Sequence, residues 1–74
     1  MIFERLKSII DEHFIYEGEL TPDTRIIEDL GADSFDIPVL INALEDEFGI
    51  TIVTDDVLKL KTLQDVIDVI QSKL

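Results

Sequence analysis

The string Glu28-Asp29-Leu30-Gly31-Ala32-Asp33-Ser34-Phe35-Asp36 sets a single serine hydroxyl where a loop is predicted to become a helix. Gly31 and Ala32 keep side-chain bulk away from the approach to that hydroxyl. The backbone N–H groups of a new helix point toward its first residues, so they could help neutralise a phosphate placed on Ser34. Asp33 and Asp36 flank the serine and can meet cationic groups on an incoming protein. Serine is also a favoured N-cap, and a serine at a helix start is far more often a cap than a reactive group. The two roles are compatible, because a cap bond can be given up when the hydroxyl is esterified.

Little else in the chain suggests chemistry. His13 is the only histidine, on a different predicted helix, and no Ser-His-Asp spacing can be argued for it. There is no cysteine, which excludes disulfides and cysteine-ligated zinc. Any thioester chemistry must therefore use a thiol brought from outside. A calcium loop needs carboxylate or amide ligands at set intervals around a glycine, and neither Gly31 nor Gly49 has that spacing. The expectation is a protein that is not an enzyme.

Seventeen acidic residues against six basic ones give a net charge of −11 over 74 residues. Such a surface repels nucleic acid and anionic lipid heads and favours basic patches on other proteins. With 46% apolar residues the chain can build one core, so residues 1–74 are expected to form one domain. No apolar run approaches the roughly 20 residues needed to cross a bilayer. The opening Met1-Ile2-Phe3-Glu4-Arg5 lacks the order of a signal peptide, so the expected location is cytoplasmic.

Helical periodicity supplies the elements that must hold Ser34. Phe3, Leu6, Ile9, Ile10 and Phe14 form one apolar face of a helix over about 2–14. A second long helix is predicted to start at Asp33 or Ser34 and run to Phe48, with Ile37, Leu40, Ile41, Leu44 and Phe48 as its stripe. Gly49 is its natural stop. The loop from Ile15 to Asp33 is long for so small a chain. Thr21-Pro22 can open a single turn in it, and Ile26, Ile27 and Leu30 are expected to pin it to the core. Ile50–Val53 looks strand-like but has no partner, so it reads as an extended connection. Thr54 is expected to cap a short helix through about Leu60. Thr62 and Asp65 form a capping box with Asp in place of the usual Glu or Gln. They open a last helix with Leu63, Val66, Ile67 and Ile70 inward and Leu74 as an extension. The fold class is all-α: a small four-helix bundle, three long helices and one short, with the long loop between helices one and two. The apolar stripes are fully used by one core, which predicts a monomer.

Asp29-Leu30-Gly31-Ala32-Asp33-Ser34, then a large apolar residue and an acid, resembles the acyl carrier proteins, and the resemblance spans essentially the whole chain. It implies that a phosphopantetheinyl transferase, using magnesium, moves 4′-phosphopantetheine from coenzyme A onto Ser34. The thiol of that arm then holds acyl groups as thioesters for fatty-acid, polyketide or related biosynthesis. It also implies a partner-recognition face at Asp33, Asp36, Glu45 and Asp46, with Glu47 adding charge or facing elsewhere. The partners implied are acyl-transferring, condensing or ligating enzymes with basic patches. An acyl pocket is implied between the second and third helices, lined by Leu40, Leu44, Ile52, Val57 and Leu60, which by themselves read as ordinary core. Two alternatives stay open: an aminoacyl or peptidyl carrier working with an adenylating ligase, and an unmodified interaction module of the same fold.

Two residues depart from the pattern. Pro38 falls where an ordinary helix former is usual. If Ser34 is the cap, Pro38 costs a backbone hydrogen bond; if the helix restarts near Ile37, Pro38 is comfortable. Val39 replaces an acid common in fatty-acid carriers, which implies a specialised partner set.

Overall fold

In a computed structural model, all 74 residues are described. Four helices follow in order: α1 (Ile2–His13), α2 (Asp36–Phe48), α3 (Thr54–Val57) and α4 (Leu63–Lys73). There are no strands; the one bridge pairs Arg25 with Thr62, antiparallel. No helix is long and apolar enough to cross a membrane.

One core gathers Leu6, Ile9 and Ile10 of α1, Leu40, Leu44 and Phe48 of α2, and Leu63, Val66, Ile67 and Ile70 of α4. These residues recur every three or four positions, so each helix buries a single face. Arg5 fastens α1 to the end of α2. Its Nε donates to the Glu47 carboxylate at 2.8 Å and its second nitrogen to the Glu47 carbonyl at 2.7 Å. The same guanidinium lies 4.3 Å from the centre of the Phe48 ring. Glu47 is thereby turned toward α1.

The segment between α1 and α2 is held by its backbone. The N–H of Ile26 donates to the Lys61 carbonyl, and the N–H of Leu63 donates to the Thr24 carbonyl, both at 3.0 Å. Thr21 opens the expected turn, its hydroxyl accepting the N–H of Asp23. Leu20, Ile26, Leu30 and Ala32 then add to the core. Ile27 does not: it is 60% exposed. The turn that buries Ile26 and Leu30 sends the three residues between them, Ile27, Glu28 and Asp29, outward.

Other expectations at helix ends also change. α3 is shorter than predicted, ending at Val57, and Val53 precedes it in the capping position. The Asp56 carboxylate accepts the N–H of Val53 at 3.1 Å, so the helix is closed from inside and not by Thr54. Asp56 also pairs with Lys73 at 2.7 Å, joining α3 to the end of α4. Leu74 lies past the last turn and is exposed, while Val69 is buried. Thr62 and Asp65 make the reciprocal cap that their spacing predicts.

Candidate functional site

Ser34 sits in a turn, before the first residue of α2 and exposed to solvent. Its hydroxyl does not cap the helix. Asp33 does that work: its carboxylate accepts the N–H of Phe35 at 2.8 Å and of Asp36 at 3.1 Å. Asp36 returns the bond, accepting the N–H of Asp33 at 3.0 Å. Asp33-Ser34-Phe35-Asp36 is thus a capping box with aspartate at both ends. Its spacing equals that of Thr62 and Asp65, so the signal is present in the sequence, at Asp33 and not at Ser34.

This arrangement corrects two expectations. The helix start lies at Asp36, two or three residues later than predicted. Pro38 explains the shift: it has no N–H to give the Ser34 carbonyl, so regular helical bonding cannot include Ser34. Pro38 is the third residue of α2, and the carbonyl it leaves without a helical donor, that of Ser34, lies before the helix. Second, the N–H groups of the three residues after Ser34 are not free to hold a phosphate. Those of Phe35 and Asp36 go to Asp33, and that of Ile37 goes to the Asp33 carbonyl at 3.2 Å.

The approach to Ser34 is open. Gly31 has φ +69°, with no heavy atom near a side chain placed there. This left-handed residue, which glycine tolerates without strain, reverses the chain after the 25–30 turn. The N–H of Ala32 then returns to the Ile26 carbonyl at 3.3 Å. Ala32 is buried beneath the serine turn, while Phe35 is 83% exposed beside it.

The acidic residues at the start of α2 and along it divide by role. Asp33 and Asp36 sit at the serine and spend carboxylate oxygens on the cap. Glu45, half-buried, accepts the N–H of Ile52 at 2.8 Å and holds the 50–53 connection against the helix. Asp46 is exposed and has no side-chain bond within the chain. Of the residues expected to line an acyl pocket, Leu40 and Leu44 are fully buried and Ile52, Val57 and Leu60 half-buried. No cavity opens among them. The clefts of the molecule lie elsewhere, and only Leu60 of the five borders one.

Two carboxylates near α3 and α4 are tuned by their bonds. The Lys73 ammonium, then the N–H of Val53, hold the Asp56 carboxyl below the usual range. The N–H groups of Thr62 and Lys61 and the Thr62 hydroxyl do the same for Asp65, against a smaller opposing effect of burial. Tyr16 is shifted the other way: its hydroxyl donates to Asp11, which raises the phenol. No group of three or more His, Cys, Asp or Glu residues is placed to hold a metal ion.

An all-helical chain that projects an unbonded serine hydroxyl from an open turn at a helix start defines a carrier-type domain. Residues 4–70 match the family described as "Phosphopantetheine attachment site", and the chain belongs to that family. It is also similar to a solved structure from Mycobacterium tuberculosis described as "a putative acyl carrier protein", with 30% identity, 97% of each chain covered and a TM-score of 0.89. The cofactor of the family is covalently attached 4′-phosphopantetheine. The open turn at Ser34 accommodates such a group without rearranging the cap.

Proposed function

We propose that Ser34 carries 4′-phosphopantetheine and that the chain is an acyl carrier domain, presenting acyl groups as thioesters to biosynthetic enzymes. The observation that carries this reading is the Ser34 hydroxyl, exposed and without an intramolecular hydrogen bond, because Asp33 has taken over the cap. A hydroxyl bound into a cap must first be released; this one is already free to react. When bound, the arm supplies the thiol that the cysteine-free chain lacks. A long flexible tether raises the effective concentration of its cargo at each partner's active site. The chain's own residues hold the attachment point and present it, while the chemistry belongs to the partners.

The transferase and the acyl-handling enzymes are expected to meet the protein beside Ser34, at the charges of Asp33 and Asp36 and the free carboxylate of Asp46. Glu45 adds charge there but is also a structural acceptor. Phe35 and Val39 lie one helical turn apart and are 83% and 48% exposed, giving this face an apolar component. A partner set distinct from general fatty-acid synthesis fits that surface; efficient exchange into a standard fatty-acid synthase set contradicts it. An acyl chain entering beside Leu40 and Leu44 requires α3 to move. α3 contributes no buried residue, so it is the helix most easily displaced. The protein acts as a monomer in the cytoplasm in this reading.

The test is intact mass before and after incubation with coenzyme A, magnesium and a broad-specificity phosphopantetheinyl transferase. A gain of one phosphopantetheine, absent in Ser34→Ala, is expected. No gain with several transferases, in a folded unmodified sample, overturns the proposal and leaves an interaction module.

A further inference from the structure

A cleft of about 540 Å³ lies between the 25–28 turn and the connection into α4. It is lined by Arg25, Ile27, Glu28, Leu60, Lys61 and Thr62. Its volume is in the range of small-molecule sites. It combines positive charge with an apolar wall. It holds two of the six cations of a chain whose net charge is −11. It also exposes Ile27, a large apolar side chain that the core does not use.

The charges in the cleft are unequally engaged. Arg25 reaches Glu28 at 3.3 Å in an exposed pair. Lys61 belongs to none of the four ion pairs and is exposed. Its backbone is fixed, since its carbonyl accepts the N–H of Ile26 and its N–H donates to Asp65. A ligand matching these walls has an apolar stem for Ile27 and Leu60 and an anionic end for Lys61.

The cleft lies within reach of Ser34. The N–H of Ala32 bonds the Ile26 carbonyl at 3.3 Å, so these two backbones touch. Ser34 lies two residues beyond Ala32, and Ile27 one residue beyond Ile26. With 3.8 Å between successive Cα atoms, Ser34 and Ile27 are at most about 18 Å apart. That span is comparable with an extended phosphopantetheine arm.

We infer that this cleft seats the distal end of an acyl group bearing a free carboxylate, a dicarboxylic half-thioester, carried on the arm of Ser34. The inference rests on the carrier reading above. The methylenes lie along Ile27 and Leu60, and the carboxylate meets the ammonium of Lys61. An acyl group with a methyl end lacks that anchor, so the cleft distinguishes cargo by its terminal charge.

The experiment loads the protein from succinyl- and from butyryl-coenzyme A with a tolerant transferase. Intact mass is read first, then amide and side-chain NMR spectra are compared with those of the holo-protein. Succinyl loading is expected to shift Ile27, Leu60, Lys61 and Thr62, butyryl loading to shift them at most half as far. Lys61→Glu is expected to remove the difference while Lys59→Glu retains it. Failure to load at Ser34 overturns the carrier reading and this inference with it. Successful loading with equal shifts for the two cargoes, or with shifts confined to Leu40, Leu44 and Val57, overturns the cleft alone. Shifts at the cleft in the holo-protein that neither cargo changes assign it to the arm itself and likewise overturn the inference.

Discussion

The carboxylate of Asp33 and the carboxylate of Asp36 each accept the backbone N–H of the other residue, at 3.1 and 3.0 Å. Ser34 lies inside this reciprocal pair but takes no part in it. The turn is therefore held by its aspartates, and the serine is left available. Each residue keeps one uncommitted carboxylate oxygen for a partner, since the cap uses only Oδ1 of Asp33 and Oδ2 of Asp36.

Asp33→Ala removes two acceptor contacts at the helix start. It is expected to destabilise the protein by about 1 kcal/mol, read from urea unfolding. Asp33→Asn keeps an acceptor oxygen and is expected to lose less than half of that. Equal losses for the two variants contradict the capping role and assign the effect to charge.

Glu45 joins a possible partner contact to a structural bond, and two substitutions separate them. Glu45→Gln keeps an oxygen for the Ile52 N–H, so its unfolding free energy is expected to stay within about 0.5 kcal/mol of the parent. Glu45→Ala leaves a half-buried N–H unpaired and is expected to cost about 1 kcal/mol. If Glu45 also guides partners, the Gln variant is modified more slowly by the transferase at low salt, and the deficit shrinks as salt rises. An unchanged rate in the Gln variant limits Glu45 to its structural role.

The folded-state carboxyl of Asp65 is depressed, first by the Thr62 N–H. A depressed carboxyl contributes stability that is fully present above the unfolded value, about 3.9. That contribution is lost as pH falls through the lower folded value. Asp56 behaves with the same sign, led by Lys73. Unfolding free energies measured from roughly pH 5 to pH 2 are thus expected to fall, and Asp65→Asn to flatten the fall. A slope unchanged in the variant rules out Asp65 as a contributor. Tyr16 has the opposite sign: its raised phenol contributes below its unfolded value and is lost as pH rises through the folded one.

Pro38→Ala supplies the Ser34 carbonyl with an N–H. The added hydrogen bond is worth about 1 kcal/mol, while the freer unfolded chain costs about 0.4–1 kcal/mol. The two nearly cancel, so stability is expected to change by less than about 1 kcal/mol. Hydrogen exchange is the sharper readout: the new amide at position 38 is expected to be protected. If it exchanges as fast as an open loop amide, Pro38 is not what delays α2.

Much of this molecule was legible in the order of its residues. The apolar stripes of α1, α2 and α4 repeat with the helical period, and a helix can bury such a stripe only on one side. Gly49 ends α2 with φ +64°, and Thr62 and Asp65 begin α4 with a reciprocal cap. These are local devices, complete within a few residues, so spacing alone reveals them. The string around Ser34 likewise carried the resemblance to a carrier family, and residues 4–70 match the family described as "Phosphopantetheine attachment site". What spacing could not decide was which side chain wins a shared donor. Ser34 and Asp33 both compete for the same first-turn N–H groups, and a carboxylate makes the stronger charge-assisted bond. Nor could it decide contacts across the chain. The outward turn of Ile27 and the cleft beside Lys61 arise where the 24–26 segment bonds to 61–63, and Glu45 finds its donor seven residues away at Ile52. Those outcomes depend on how separate segments meet in space, which only the tertiary structure decides.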